Sequence, residues 1–148
     1  MNVKRFLAGC IIVSAYVFVH EWVFHGIVLE DLYAHSPPLW RTPADMAGRI
    51  PWLVLGQLMF AVLFCFTFTL GYESKGLMRG LRYGVFIGLV FTATNVIMYA
   101  FQPVPYELLL AWVGGGILEL TIAAIIMAVV YRPVQPSALP PDDVPAES

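Results

Sequence analysis

Three ionisable side chains, His20, Glu21 and His25, stand in the stretch HEWVFHG, late in a segment that is otherwise apolar. On a helix, a carboxylate four residues before an imidazole lies only about 40° away from it, so Glu21 and His25 share a face. Such a pair can form an ion pair, pass a proton or hold a cation, according to how far attraction offsets desolvation. His20 lies about 100° from Glu21 and need not join them. Three more polar side chains interrupt apolar runs: Gln57, Asn95 and Glu119.

The spacing excludes several chemistries. The histidines of HEWVFH are five apart, whereas a zincin helix needs HExxH, with its histidines four apart on one face. The chain carries no GxSxG, P-loop or GxGxxG. A haem held by histidines from two spans is excluded, because only the first span carries any. A zinc site from Glu21, His25 and Glu119 is not selected by any spacing. Cys10 and Cys65 sit inside apolar runs without a CxxC, and read as buried thiols that pack like small hydrophobes. No catalytic residue, metal or cofactor is therefore expected, and an enzyme ranks last among the functional readings.

The elements that must position these residues follow from composition. Of 148 residues, 59% are hydrophobic and only 12% charged, with a mean hydropathy of +0.77. Soluble domains run nearer to about 25% charged. Some of this apolar surface must face lipid. The net charge of −2 leaves no basic face for nucleic acid. Continuous apolar runs long enough to cross a bilayer as helices occur at about 6–28, 52–71, 83–101 and 107–131. The predicted fold is all-α, a four-helix transmembrane bundle over residues 1–132. MNVKR before an apolar run resembles a secretory signal, and LAGC a lipoprotein box. No small-x-small cleavage site follows, and Cys10 comes too early, so the segment is expected to remain as the first span.

The spans carry the polar residues to similar depths. At about 1.5 Å per residue, Glu119 falls near the middle of its span. Asn95, Glu21 and Gln57 fall roughly 4–8 Å toward the outer side, and His25 roughly 12 Å. A charged group in a span costs roughly 2.5–3.5 kcal/mol, so such groups turn toward the bundle interior. Glu21, His25, Gln57, Asn95 and Glu119 are accordingly the predicted intramembrane polar network.

Lys4, Arg5, Lys75, Arg79, Arg82 and Arg132 fall on one side of the membrane, against Arg41 and Arg49 on the other. The positive-inside rule places both termini in the cytoplasm. In the first outer loop, Thr42-Pro43-Ala44-Asp45 reads as a helix start, with Thr42 as N-cap and Asp45 reaching back. A short interfacial helix at about 43–50 is expected, with Pro51 kinking or restarting the chain. Gly80, Gly84 and Gly88, spaced by four, form a face for close helix packing, within the chain or against a second copy. Gly114-Gly115-Gly116 lies mid-span in the fourth helix. Residues 133–148, rich in proline and acid, read as a disordered tail.

His25-Gly26, Tyr33, Leu39-Trp40-Arg41, Met46, Gly71-Tyr72-Glu73, Gly76 and Gly80-Leu81-Arg82-Tyr83-Gly84 together resemble an uncharacterised group of small four-span bacterial inner-membrane proteins. The likeness covers most of the chain outside the tail. It implies a bacterial cytoplasmic membrane and carries no activity with it. The small multidrug transporters are similar in size, and also have an acidic residue in the first span. The first functional reading is an accessory, assembly or structural subunit of a membrane complex. The second is a small proton-coupled transporter or channel using the Glu/His network. The expected partners are the bilayer and either a second copy or a larger membrane-protein complex.

Overall fold

The computed structural model describes residues 2–36, 39–71 and 76–131. The predicted tail, with Arg132, and Tyr72, Glu73 and Lys75 lie outside them. Helix α1 (Val3–Val23) opens on Asn2, whose side chain accepts from the Arg5 N–H. It runs without a break into a π-helical turn, Phe24–Val28. Then follow α2 (Glu30–Ala34), α3 (Pro43–Ala47), α4 (Ile50–Leu70), α5 (Gly76–Tyr99) and α6 (Tyr106–Val130). No strand occurs among the described residues. Four helices are long and apolar enough to cross a membrane: Val3–Val28, Ile50–Leu70, Gly76–Tyr99 and Tyr106–Val130. The fold is an all-α four-helix bundle of a multi-pass membrane protein.

Several boundaries differ from the sequence reading. The third span begins at Gly76 rather than 83. An apolar window stops at the first arginines, whereas the backbone stays helical through Arg79 and Arg82. Pro51 lies in the first turn of α4, where its missing N–H has no intrahelical acceptor to lose. The interfacial helix is shorter than expected. The Thr42 hydroxyl accepts the Asp45 N–H at 3.3 Å. The Asp45 carboxylate does not reach back to cap. It pairs with Arg41 at 2.7 Å and faces Arg49 at 3.9 Å.

Helices α5 and α6 meet backbone to backbone. A Cβ added at Gly80 would lie 2.8 Å from the Ala124 carbonyl oxygen, and one at Gly88 would lie 2.9 Å from the Ile117 Cα. One at Gly84 would run into the Thr121 Cα. Gly80, Gly84, Gly88 and Thr92 are the buried residues of α5, so its small face is turned to α6 within the chain. Lipid supplies no hydrophobic drive between helices, and close approach of this kind replaces it. Helices α4 and α5 meet differently, through aromatic side chains. The rings of Phe64 and Phe68 each sit 5.2 Å from Tyr83, and Phe60 sits 5.1 Å from Phe91. The Tyr83 hydroxyl donates to the Phe64 carbonyl at 3.0 Å and also contacts the Thr67 hydroxyl.

The bundle is packed unevenly along its length. Toward the terminal end, Val13, Val17, Ala61, Phe64, Cys65, Phe68, Leu120, Ala123 and Met127 form a dry core. At the opposite end a small cap gathers Leu29, Val104 and Leu108 beneath Phe24, Leu32, Tyr33 and Trp112. The polar residues lie between these two plugs.

Candidate functional site

The site begins where α1 gives up regular geometry. Leu29 N–H bonds to the Phe24 carbonyl at 2.9 Å, five residues back, which widens the turn. The π turn leads the chain off the α1 axis, and α2 folds back against α6. That return brings Tyr33 over the end of the bundle. The Phe24 ring fits where Gly115 has no side chain, so one of the three adjacent glycines of α6 is a seat for the π turn.

Tyr33 joins α6 to the polar residues of α1. The indole N–H of Trp112 donates to the Tyr33 hydroxyl at 2.8 Å. His25 Nδ1 stands 2.5 Å from the same oxygen. Tryptophan can only donate, so the arrangement that satisfies each atom has the Tyr33 O–H donating to His25 Nδ1. His25 then carries its proton on Nε2, which faces the Glu21 carboxylate at 3.5 Å. Burial pushes the Tyr33 hydroxyl above its ordinary range. The Trp112 hydrogen bond partly opposes this, and the Glu21 charge reinforces it. Tyr33 is therefore a neutral phenol at physiological pH. Trp40 closes the cluster edge-on, 5.1 Å from Tyr33 and 5.9 Å from Trp112.

Glu119 lies deeper, on α6, and is only 6% exposed. The ionisable groups beside it are Glu21 and His20, whose Nδ1 lies 3.4 Å from Oε1, and not Glu21's helical partner His25. That contact lacks hydrogen-bond geometry. Glu119 Oε1 and His20 Nδ1 both remain buried without a hydrogen-bond partner, as do the Tyr16 hydroxyl and Gln57 Oε1. His20 stands outside the predicted network, about a quarter-turn from Glu21 on the helix. The structure shows why that angle does not decide the matter. Glu21 and His20 flank the line of contact with α6, so adjacent residues can reach one carboxylate from two sides. Tyr16 and Phe24 are likewise absent from the predicted network. They flank the His20 ring along α1, Tyr16 tilted to it at 5.9 Å and Phe24 stacked on it at 5.3 Å between centroids. The spacing of four through positions 16, 20 and 24 was the available signal.

Two cavities meet at this centre. The smaller, about 290 Å³, is lined by His20, Glu21, His25, Tyr33, Asn95, Trp112 and Glu119 and reaches the aromatic cap. The larger, about 480 Å³, is lined by Glu21, Gln57, Phe60, Glu119 and Leu120, and its rim residues Trp52, Leu53 and Phe91 are exposed between α4 and α5. Glu21, Phe91 and Glu119 line both. Of the predicted network, Glu21, His25, Asn95 and Glu119 share the smaller cavity, and Gln57 lies in the larger one beside Glu21 and Glu119. The aromatic spacers between α4 and α5 keep the larger cavity open. The arrangement gives a buried carboxylate with a free acceptor, a second carboxylate beside it, and access from the loop end and from the side. Comparison with protein-family models, curated proteins and solved structures finds no match to this chain.

Proposed function

We propose that the chain is a small transporter or channel of a bacterial cytoplasmic membrane that carries a cation through the Glu/His network. One observation supports this reading above the others: Glu119 is 6% exposed and leaves Oε1 unpartnered where two cavities meet. An acceptor buried without a partner costs stability, on the order of 1–3 kcal/mol and more when charged. The cation enters from the loop end past Tyr33 and His25 and is stopped on the terminal side by the dry core. Passage then requires that core to loosen around Leu120 and Met127.

Proteoliposomes carrying a pH-sensitive dye, or separately a dye for divalent cations, test this reading. An imposed gradient should drive a flux in one of them, and Glu119→Gln should reduce that flux by at least about tenfold, as loss of a site's central group does. Absence of flux with both dyes sinks the reading. An accessory or structural subunit is the second reading, and its own observation is the aromatic spacing of α4 and α5, a gap that a helix of another subunit could fill. A stable partner co-purifying in mild detergent, together with absent flux, would favour it.

A further inference from the structure

A ring nitrogen of His20, a carboxylate oxygen of Glu21 and a carboxylate oxygen of Glu119 all lie within 4.8 Å of one another. Resting on the reading of this junction as a cation pathway, we propose that it binds a divalent first-row transition-metal ion, Zn2+ or a close neighbour, through these three residues. The donor set is the first argument. One imidazole with two carboxylates suits zinc, iron or manganese better than Mg2+ or Ca2+, which favour oxygen alone.

Distance is the second. Bonds of about 2.0–2.2 Å in a tetrahedron hold ligand atoms about 3.3–3.6 Å apart. His20 and Glu119 already stand 3.4 Å apart. Glu21 closes the remainder by a side-chain rotation into the shared cavity. Charge is the third. Two ionised carboxylates and a neutral imidazole carry two negative charges, which one dication cancels, and a site beside lipid is stable when its charges cancel.

The surroundings supply the outer support that metal ligands require. Glu21 is held by His25, which Tyr33 and Trp112 hold in turn. The His20 ring is flanked by Tyr16 and Phe24. Glu119 provides the buried oxygen that has no other partner. His25 is not a ligand, because both its nitrogens are engaged elsewhere. The thiols are not ligands either, because Cys10 and Cys65 lie in the dry core.

Equilibrium dialysis of the full-length chain in detergent, with Zn2+ as the probe and excess Mg2+ and Ca2+ present, tests the proposal. Binding should reach about one ion per chain and weaken by more than about 100-fold in both Glu119→Gln and His20→Phe, while His35→Phe leaves it unchanged. X-ray absorption at the zinc edge of the wild-type chain should show imidazole and oxygen donors without sulfur, a readout that does not depend on any variant folding. Sulfur donors, loss of Zn2+ to Mg2+, or binding that survives both substitutions would overturn the site. A proton flux that depends on Glu119 in a chain that binds no Zn2+ overturns the metal and keeps the pathway. Zn2+ bound at these residues without any flux keeps the metal site and overturns the pathway.

Discussion

Glu21 and Glu119 differ in what surrounds them, and their removal should not be additive. Glu21 is supported by His25 and stays partly exposed, whereas Glu119 is buried against His20. Deleting either changes the electrostatic setting of the other. A double-mutant cycle of Glu21→Leu and Glu119→Leu, read from unfolding in detergent, should give a coupling of about 0.5–3 kcal/mol. A coupling near zero would mean that the two carboxylates act independently. Tyr33 makes a prediction in pH. Its folded-state value is raised above the ordinary 10.0, so the folded protein favours the neutral phenol. The stability this gives is complete below pH 10 and is lost as pH rises through the raised value. The indole N–H resonance of Trp112 should shift in that alkaline window. Tyr33→Phe should abolish the step and cost about 0.5–1.5 kcal/mol for each hydrogen bond removed.

Helix α5 rests on α6 through its glycines, and the two helices test each other. Gly84→Ala should destabilise by about 1–3 kcal/mol, because the added methyl meets backbone that cannot move aside. Gly84→Leu should separate the helices. Gly114 has open space around it, so Gly114→Ala should be neutral or stabilising by up to about 1 kcal/mol. Thermal unfolding of the purified variants gives both values, and equal effects at the two positions would place the contact elsewhere. The intervening Gly115 behaves differently again, because its missing side chain leaves room for the Phe24 ring. Three adjacent glycines in one helix thus differ in role, according to which neighbour each one meets.

The molecule as a whole presents the terminal ends of α1 and α6 together: the Asn2 N–H donates to the Tyr131 hydroxyl at 3.2 Å. Of the basic residues described, Lys4, Arg5, Arg79 and Arg82 belong to that end, and Arg41 and Arg49 to the other. Both termini should accordingly be cytoplasmic. Cysteines introduced at Ser36 and Ser148, in a background lacking Cys10 and Cys65, should label from opposite sides of the membrane. Labelling of both from the outside would reverse or break this topology. If it holds, the aromatic cap and the cavity beneath it face outward and the dry core faces the cytoplasm.

Sequence by itself determined the four spans, since a run of apolar residues has few stable fates besides a helix in lipid. It also singled out Glu119, Glu21, His25, Gln57 and Asn95, because an ionisable or strongly polar group in such a run needs a reason to be there. The start of α3 was readable from Thr42 and Pro43, which fix a first turn locally. Helix α2 left a fainter mark in Glu30 and Asp31, acids suited to a first turn. Only the tertiary structure decided that His20 faces Glu119, because which side of α1 meets α6 depends on side chains from both helices. It also decided the π turn, which no local pattern announces and which exists because Phe24 finds room at Gly115. The same holds for Tyr33 and Trp112, distant in sequence, whose hydrogen bond depends on the chain folding back. Spacing along one helix fixes angles about its own axis, but the neighbour that each angle meets is set by packing.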